Sequence, residues 1–256
     1  MNYGICIQTM VPLRESPSDK SQMVNQLLFG DLFLVKENLD NWLLIETIDD
    51  SYEAWVDFKQ VRLIEESKFD KYKQYQRAYS LEDSLLANSK EDGISIRYTL
   101  GSSLPLFNND TFSLDGSKFT HSKAIQIPNK NGLGIIELAH KYINAPYLWG
   151  GRSLYGIDCS GFTQIVFKMY GIMLPRDSSE QINMGEALNF IEEAKEGDIA
   201  FFENDEGKII HVGILINNQT IIHSSGKVRI DTIDHNGIYN QETNSYTHKL
   251  RLIKRL

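Results

Sequence analysis

The sequence is poor in several features that mark a protein's class. Only 2 of its 256 residues are cysteine and only 6 are proline. Two cysteines cannot build the disulfide framework of a small secreted domain, and no bridge between Cys6 and Cys159 is expected. Scarce proline and the lack of a long polar tract exclude an extended disordered linker. No run approaches the ~20 apolar residues that cross a bilayer, so no membrane insertion is expected. The opening Met1-Asn2-Tyr3-Gly4 carries neither a basic segment nor an apolar core of signal-peptide length. With residue 1 as the native start, a cytoplasmic location is expected. Positive charge is in deficit too: 26 Lys and Arg stand against 34 Asp and Glu, a formal net charge of −8. Nucleic acid and anionic membranes need a basic face, so neither is expected as a partner. The one local basic excess, Lys249, Arg251, Lys254 and Arg255, reads as a solvated edge.

What is present is ordinary globular material, 41 % hydrophobic and 23 % charged. The length exceeds one domain of ~100–200 residues. Residues 1–65 read as short strands: Gly4-Ile5-Cys6-Ile7, Leu32-Phe33-Leu34-Val35, Trp42-Leu43-Leu44-Ile45 and Ala54-Trp55-Val56. Turn residues at Pro12, Ser16–Asp19, Asp40-Asn41 and Asp49–Ser51 separate them, which suggests a small barrel. Cys6, within alternating apolar residues, is expected to be a buried, inert thiol.

Residues 66–92 are rich in Lys, Glu, Gln and Tyr and read as a linker or short helical connection. Ile94-Ser95-Ile96-Arg97, Leu104–Phe107, Thr111–Leu114, the turn Asp115-Gly116 and Lys118-Phe119 then predict a second small β domain, making 66–128 one segment. From Asn131 the period becomes helical through Leu133, Ile136, Ala139, His140 and Ile143, and Pro146 ends the helix. A second helix is predicted from Cys159 to Tyr170, with Phe162, Ile165, Val166 and Met169 as its core stripe and Gly171 as its cap. Strands follow at Gly197–Phe202, Ile209–Ile216 and Thr220–Ser224. Residues 129–256 thus form an α+β domain with an antiparallel sheet.

The chemistry centres on Cys159. At the first turn of a helix it meets free backbone N–H groups and the positive end of the helix dipole, which favour a thiolate. The glycines Gly150, Gly151, Gly156 and Gly161 permit tight turns and close approach. The plainer alternative is a small residue at a packed helix start. His211 and His223 each lie six residues from Asn217, the centre of a predicted turn. In a simple hairpin they fall opposite each other or nearly so, close enough for one to act on the thiol while the other orients it. His121, His140, His235 and His248 show no comparable pairing. Zinc on Cys159, His211 and His223 is the competing chemistry, but the short-spaced ligand pairs of structural zinc sites are absent and no cofactor is expected.

Tyr147-Leu148-Trp149-Gly150-Gly151, Asp158-Cys159-Ser160-Gly161-Phe162, His211-Val212-Gly213-Ile214 and His223-Ser224-Ser225-Gly226 occur in that order. Together they resemble the NlpC family of bacterial cell-wall cysteine peptidases. The resemblance covers about residues 130–256 and implies a papain-like core with Cys159 as nucleophile, His211 as base and His223 as third member. It places Tyr147 near the oxyanion. Val11–Ser18, Gly30-Asp31 and Tyr52-Glu53-Ala54-Trp55-Val56 are similar to bacterial SH3-like domains, with Ala54 where glycine is usual, and the resemblance implies two small SH3-like β-barrel domains before the catalytic one, the first in 1–65 and the second, after the linker, in 66–128.

The whole arrangement resembles the γ-D-glutamyl-L-diamino-acid endopeptidases (dipeptidyl-peptidase VI type). That subgroup implies a murein-derived peptide as partner, L-Ala-γ-D-Glu followed by L-Lys or meso-diaminopimelate, and a recycling role. By the same resemblance Arg176-Asp177-Ser178 and the first-domain residues Glu15 and Tyr52 hold the free amino group of L-Ala, and Asp158 and Ser160 contact the peptide. Arg152 and Arg176 are candidates to read a carboxylate on the third residue. An exported hydrolase of intact murein, a non-catalytic wall-peptide binding protein and a thioester-forming acyltransferase stay open as alternatives.

Overall fold

Alternating burial builds the amino-terminal strands of this computed structural model, which describes residues 2–89, 91–121, 123–128 and 132–256. Asn129 and Asn131, where the last domain and its first helix are expected to begin, lie outside the described residues. The chain divides into two compact units. One holds Met1–Gly132, Trp149–Leu154 and Met169–Gly171; the other holds Leu133–Leu148, Tyr155–Lys168 and Ile172–Leu256.

In the first unit β1 (Tyr3–Cys6), β2 (Met10–Arg14), β3 (Met23–Leu28), β4 (Leu32–Leu39), β5 (Trp42–Thr47), β6 (Glu53–Asp57) and β7 (Val61–Ile64) form one antiparallel sheet, ordered β3-β2-β6-β5-β4-β1-β7. Period-two burial along β5 points Leu43 and Ile45 inward, where they join Val11, Leu13, Leu27, Phe33 and Val56. This is the SH3-like β domain. Pro12 lies within β2, not in the turn expected for it. β2 meets β6 only at Arg14 and Trp55, so the missing N–H of Pro12 faces no second ladder. Cys6 is fully buried, and desolvation pushes its thiol far up.

The segment from residue 66 opens with α1 (Glu66–Gln74), the helical alternative of the two expected there. Short pairs follow: β8 (Tyr79–Ser80), β9 (Ser84–Asn88), β10 (Ser95–Thr99), β11 (Thr111–Leu114), β12 (Ser117–Thr120) and β13 (Ile125–Gln126). Asp115 and Gly116, both at positive φ, make the tight β11–β12 turn. Leu104–Phe107 is a loop, not a strand, with Leu106 at positive φ. Phe29, Tyr98, Phe112 and Phe119 stack edge and face in a core that also takes in Ile5, Ile64 and Phe69.

The second unit begins with α2 (Ile135–His140), shorter than the pattern predicts, with Leu133 and Ile143 outside it. Glu137 accepts a hydrogen bond from the Gly134 amide at 2.8 Å and so closes its first turn. After β14 (Arg152–Ser153), which belongs to the first unit, and β15 (Gly156–Ile157) comes α3 (Cys159–Tyr170), with the predicted bounds; its last two residues and Gly171, at φ +113, are grouped with the first unit. Phe162, Ile165, Val166 and Met169 are all buried, but so are Thr163, Gln164 and Phe167; the helix is buried nearly all round.

α4 (Ser178–Gln181) and β16 (Glu186–Leu188) lead to β17 (Ile199–Glu203), β18 (Ile209–Asn217), β19 (Thr220–Ser225), β20 (Lys227–Asp234), β21 (Gly237–Asn240) and β22 (Ser245–Arg255). The order is β16-β22-β17-β18-β19-β20-β21, and β21 also pairs with β22, so β17 to β22 close into a six-stranded ring. Phe202, Leu215, Ile221, Ile233, Ile238 and Ile253 fill its core. A helix that opens on Cys159 and an antiparallel sheet that carries the histidines make this α+β unit papain-like. Among the described residues no helix is long and apolar enough to cross a membrane.

Candidate active site

Asp158 starts the helix that carries Cys159. Its Oδ1 accepts the Gly161 amide at 2.7 Å, an N-cap bond. The same carboxylate is gripped by the buried Arg176 guanidinium through bonds of 3.0 and 2.6 Å. Arg176 also donates to Ser160 Oγ at 2.8 Å. Gln181 ties α4 to this corner, donating to the Ser160 carbonyl at 3.0 Å and accepting from Thr163 at 2.8 Å. Asp158, Ser160 and Arg176 are thus engaged with one another around the cysteine.

Cys159 occupies the expected helix start, yet its thiol is not lowered. Desolvation, then the Asp158 carboxylate, pushes it up to about 12. The Val212 and Ser160 amides and Arg176 act the other way and are outweighed. At neutral pH the sulfur keeps its proton. Loss of water costs a thiolate more here than those two amides and the Arg176 charge return.

The strand register differs from a simple hairpin. The turn is Asn218-Gln219, closed by Asn217 opposite Thr220 rather than centred on Asn217, and with a bulge between Leu215 and Asn217 it sets Gly213, not His211, opposite His223. The two histidines are therefore diagonal neighbours. They still meet: His211 Nε2 lies 2.8 Å from His223 Nδ1, with the rings at 84°. His223 Nε2 lies 2.9 Å from Asp231 Oδ2. Arg229 holds that carboxylate with Nε to Oδ2 at 2.7 Å and Nη2 to Oδ1 at 2.9 Å. Burial pushes His211 well below 6.5, and His223 and His248 add to the effect.

Two members of this cluster escape a reading of the sequence alone. Asp231 lies on β20, and His248, expected to stand unpaired, stacks on His211 at 4.0 Å and 27°. His248 falls to about 4, through burial first and His223 second. The signal for His248 was the alternation of half-buried His248, Leu250 and Leu252 with exposed Thr247, Lys249 and Arg251. For Asp231 it was the Gly226 turn that folds β20 back on β19. His121, by contrast, is bonded to the Tyr98 hydroxyl at 2.7 Å inside the first unit's core.

Tyr147 is brought to the cysteine: burial, then Cys159 and Asp158, pushes its phenol up to about 12. Its amide donates to the Gly226 carbonyl at 2.9 Å. Asp177 is exposed in extended backbone before α4, and Ser178 is the first residue of that helix. Glu15 and Tyr52 belong to the first unit. Glu15 is exposed just after β2, and Tyr52 packs half-buried against the β-domain core. Arg152 is buried too, its amide and guanidinium on Gln26 at 2.8 and 3.0 Å and its charge 3.6 Å from Asp31. Neither Arg152 nor Arg176 is therefore presented to a substrate carboxylate. Both ring nitrogens of His223 are engaged, Nδ1 with His211 and Nε2 with Asp231. Among the described residues no three or more His, Cys, Asp or Glu side chains are grouped to hold a metal ion.

Comparison with known proteins gives concordant matches. A model described as the NlpC/P60 family matches residues 144–248, and one described as the bacterial dipeptidyl-peptidase Sh3 domain matches residues 13–61. The chain is 27 % identical over 231 residues to a γ-D-glutamyl-L-lysine dipeptidyl-peptidase of Bacillus cereus, covering 81 % of this chain and 68 % of that one. It is 31 % identical over 149 residues to a probable endopeptidase of Haemophilus influenzae, covering 57 % of this chain and 88 % of that one. The crystal structure of an NlpC/P60 family protein from Bacillus cereus superposes with a TM-score of 0.83 over 99 % of both chains at 20 % identity, a likeness of fold. With both domain types matched in order along one chain, this protein belongs to the NlpC/P60 family of cysteine peptidases.

Proposed function

We propose that this chain hydrolyses the bond between γ-D-Glu and the diamino acid of cell-wall peptides that begin with a free L-Ala, with Cys159 as nucleophile. The reading is carried by one juxtaposition: a cysteine at a helix start beside β18, whose His211 is paired with His223 of β19. The Val212 amide, next to His211, acts on the Cys159 sulfur. The name of the Bacillus cereus relative supports the choice of bond.

In the proposed reaction the Cys159 sulfur bonds to the γ-carbonyl carbon while its proton passes to His211. The oxyanion is held at the helix N-terminus and by the Tyr147 hydroxyl, which keeps its proton to donate. Collapse breaks the C–N bond, and His211 returns the proton to the departing amine. Water then attacks the thioester with His211 again as base. The C–S bond breaks, L-Ala-γ-D-Glu leaves and the thiol is restored. His223 orients His211 throughout.

Glu15, Tyr52, Asp177 and Ser178 enter as readers of the L-Ala amino group through resemblance alone. A buried ammonium needs such acceptors. Mass spectrometry of products from L-Ala-γ-D-Glu-L-Lys and its N-acetylated form tests this part. Cleavage of the free peptide to L-Ala-γ-D-Glu and lysine is expected, with at least a tenfold lower rate for the blocked one, since roughly 1.4 kcal/mol of lost recognition already gives that factor. Equal rates would remove the amine-reading assignment.

A further inference from the structure

We infer that Asp231, clamped by Arg229, fixes the tautomers of His223 and His211 so that Nδ1 of His211 is the atom left to take the thiol proton. The inference deepens the proposed peptidase reading and rests on it for its functional meaning, but not for its geometry. Asp231 is a positioning residue that acts through two rings.

Arg229 places an N–H on each oxygen of Asp231, at 2.7 and 2.9 Å. Two charge-assisted bonds from a permanent cation keep that carboxylate ionised, so it can only accept. Arg229 is itself held by Glu242 at 3.1 Å and Asn240 at 3.4 Å. His223 Nε2, 2.9 Å from Asp231 Oδ2, must therefore carry a proton. In a ring with a single N–H, placed at Nε2, Nδ1 of His223 is left as the acceptor. His211 Nε2 lies 2.8 Å from it and must donate. The single proton of neutral His211 is then placed, and Nδ1 is its lone-pair nitrogen.

The fold makes this a row rather than a chance contact. His211, His223 and Asp231 sit on three neighbouring strands, β18, β19 and β20. His223 is paired with Gly213 and with Arg229, so each functional partner lies two residues from the position directly opposite. The three residues are 4 %, 1 % and 7 % exposed, which leaves little room for water to compete for these bonds. His248 stacks on the face of His211 and directs Nδ1 to the Thr247 hydroxyl at 2.8 Å, so it steadies the ring plane without choosing the tautomer.

The deciding measurement is long-range 1H–15N correlation NMR on histidine-labelled protein at neutral pH. The expected spectrum has His223 protonated at Nε2 and His211 protonated at Nε2, with both Nδ1 atoms unprotonated. D231N removes the obligate acceptor. It is expected to lose this pattern and to lower kcat on the free peptide by roughly 10²- to 10⁴-fold with little change in KM, while D231E recovers most of the rate. A wild-type His211 protonated at Nδ1 overturns the inference, as does a folded D231N that keeps both the wild-type tautomers and the wild-type kcat. If D231N does not fold, the wild-type spectrum alone decides. Because the spectrum needs no substrate, the expected tautomers in a protein that cleaves no peptide would refute the proposed function and leave the relay standing.

Discussion

Cys159 and His211 each lose most of their water on folding, and each is thereby held in its neutral form. For the proposed attack a neutral pair means that one proton moves as the sulfur bonds. The groups facing His211 are His223 from β19, His248 from β22 and Phe202 from β17, with Asp231 reaching it through His223. Burial, His223 and His248 all lower His211, so its base form persists below the ordinary value of 6.5. The sign follows directly. As pH falls from 7 through 6.5 the competent neutral imidazole should stay in excess, and kcat/KM should hold its plateau. Its acid limb should lie well below 6.5. A rate already halved at or above pH 6.5 would contradict the buried neutral base.

Gly213 shows how an element, rather than a residue, sets the site. The bulge near the end of β18 shifts the ladder so that Gly213 faces His223. A Cβ there would stand 2.8 Å from the His223 Cβ and 2.8 Å from Ile221 Cδ1. Glycine thus lets β18 and β19 close over the histidine. G213A should crowd His223 and cost about 1–3 kcal/mol in overpacking. A lower urea midpoint together with a reduced kcat is the expected result, and a variant unchanged in both would refute this role. The same hairpin marks the reach of the sequence. Counting six residues either side of Asn217 placed the two histidines together, but the turn falls later, at Asn218-Gln219, and the bulge that keeps both on one face has no mark in residue types. The α3 stripe was legible to its ends because a 3.6-residue period runs between Asp158 and Gly171. The burial of its other faces was not, since that depends on what surrounds the helix.

At the scale of the whole molecule, local patterns were readable where one face alternates and unreadable where pairing is distant. β4, β5, β6, β18 and β19 announce themselves by short β-branched and aromatic runs. β2 was hidden by Pro12, and β20 and β22 by polar residues on their outer faces, so Asp231 and His248 stayed out of view. Ring closure by β21 and β22 joins residues such as Ile238 and His248 across a turn of mixed polarity. Nothing in either segment alone specifies that pairing. Motif order along the chain supplied what periodicity could not, because four short motifs in sequence fix which residues must converge. The proposed hydrolysis depends on the sulfur at their meeting point. The most direct test is kcat/KM for L-Ala-γ-D-Glu-L-Lys with wild-type protein and folded C159A. A loss of roughly a thousandfold or more is predicted for C159A; cleavage by C159A at the wild-type rate would contradict the assignment of Cys159 as nucleophile.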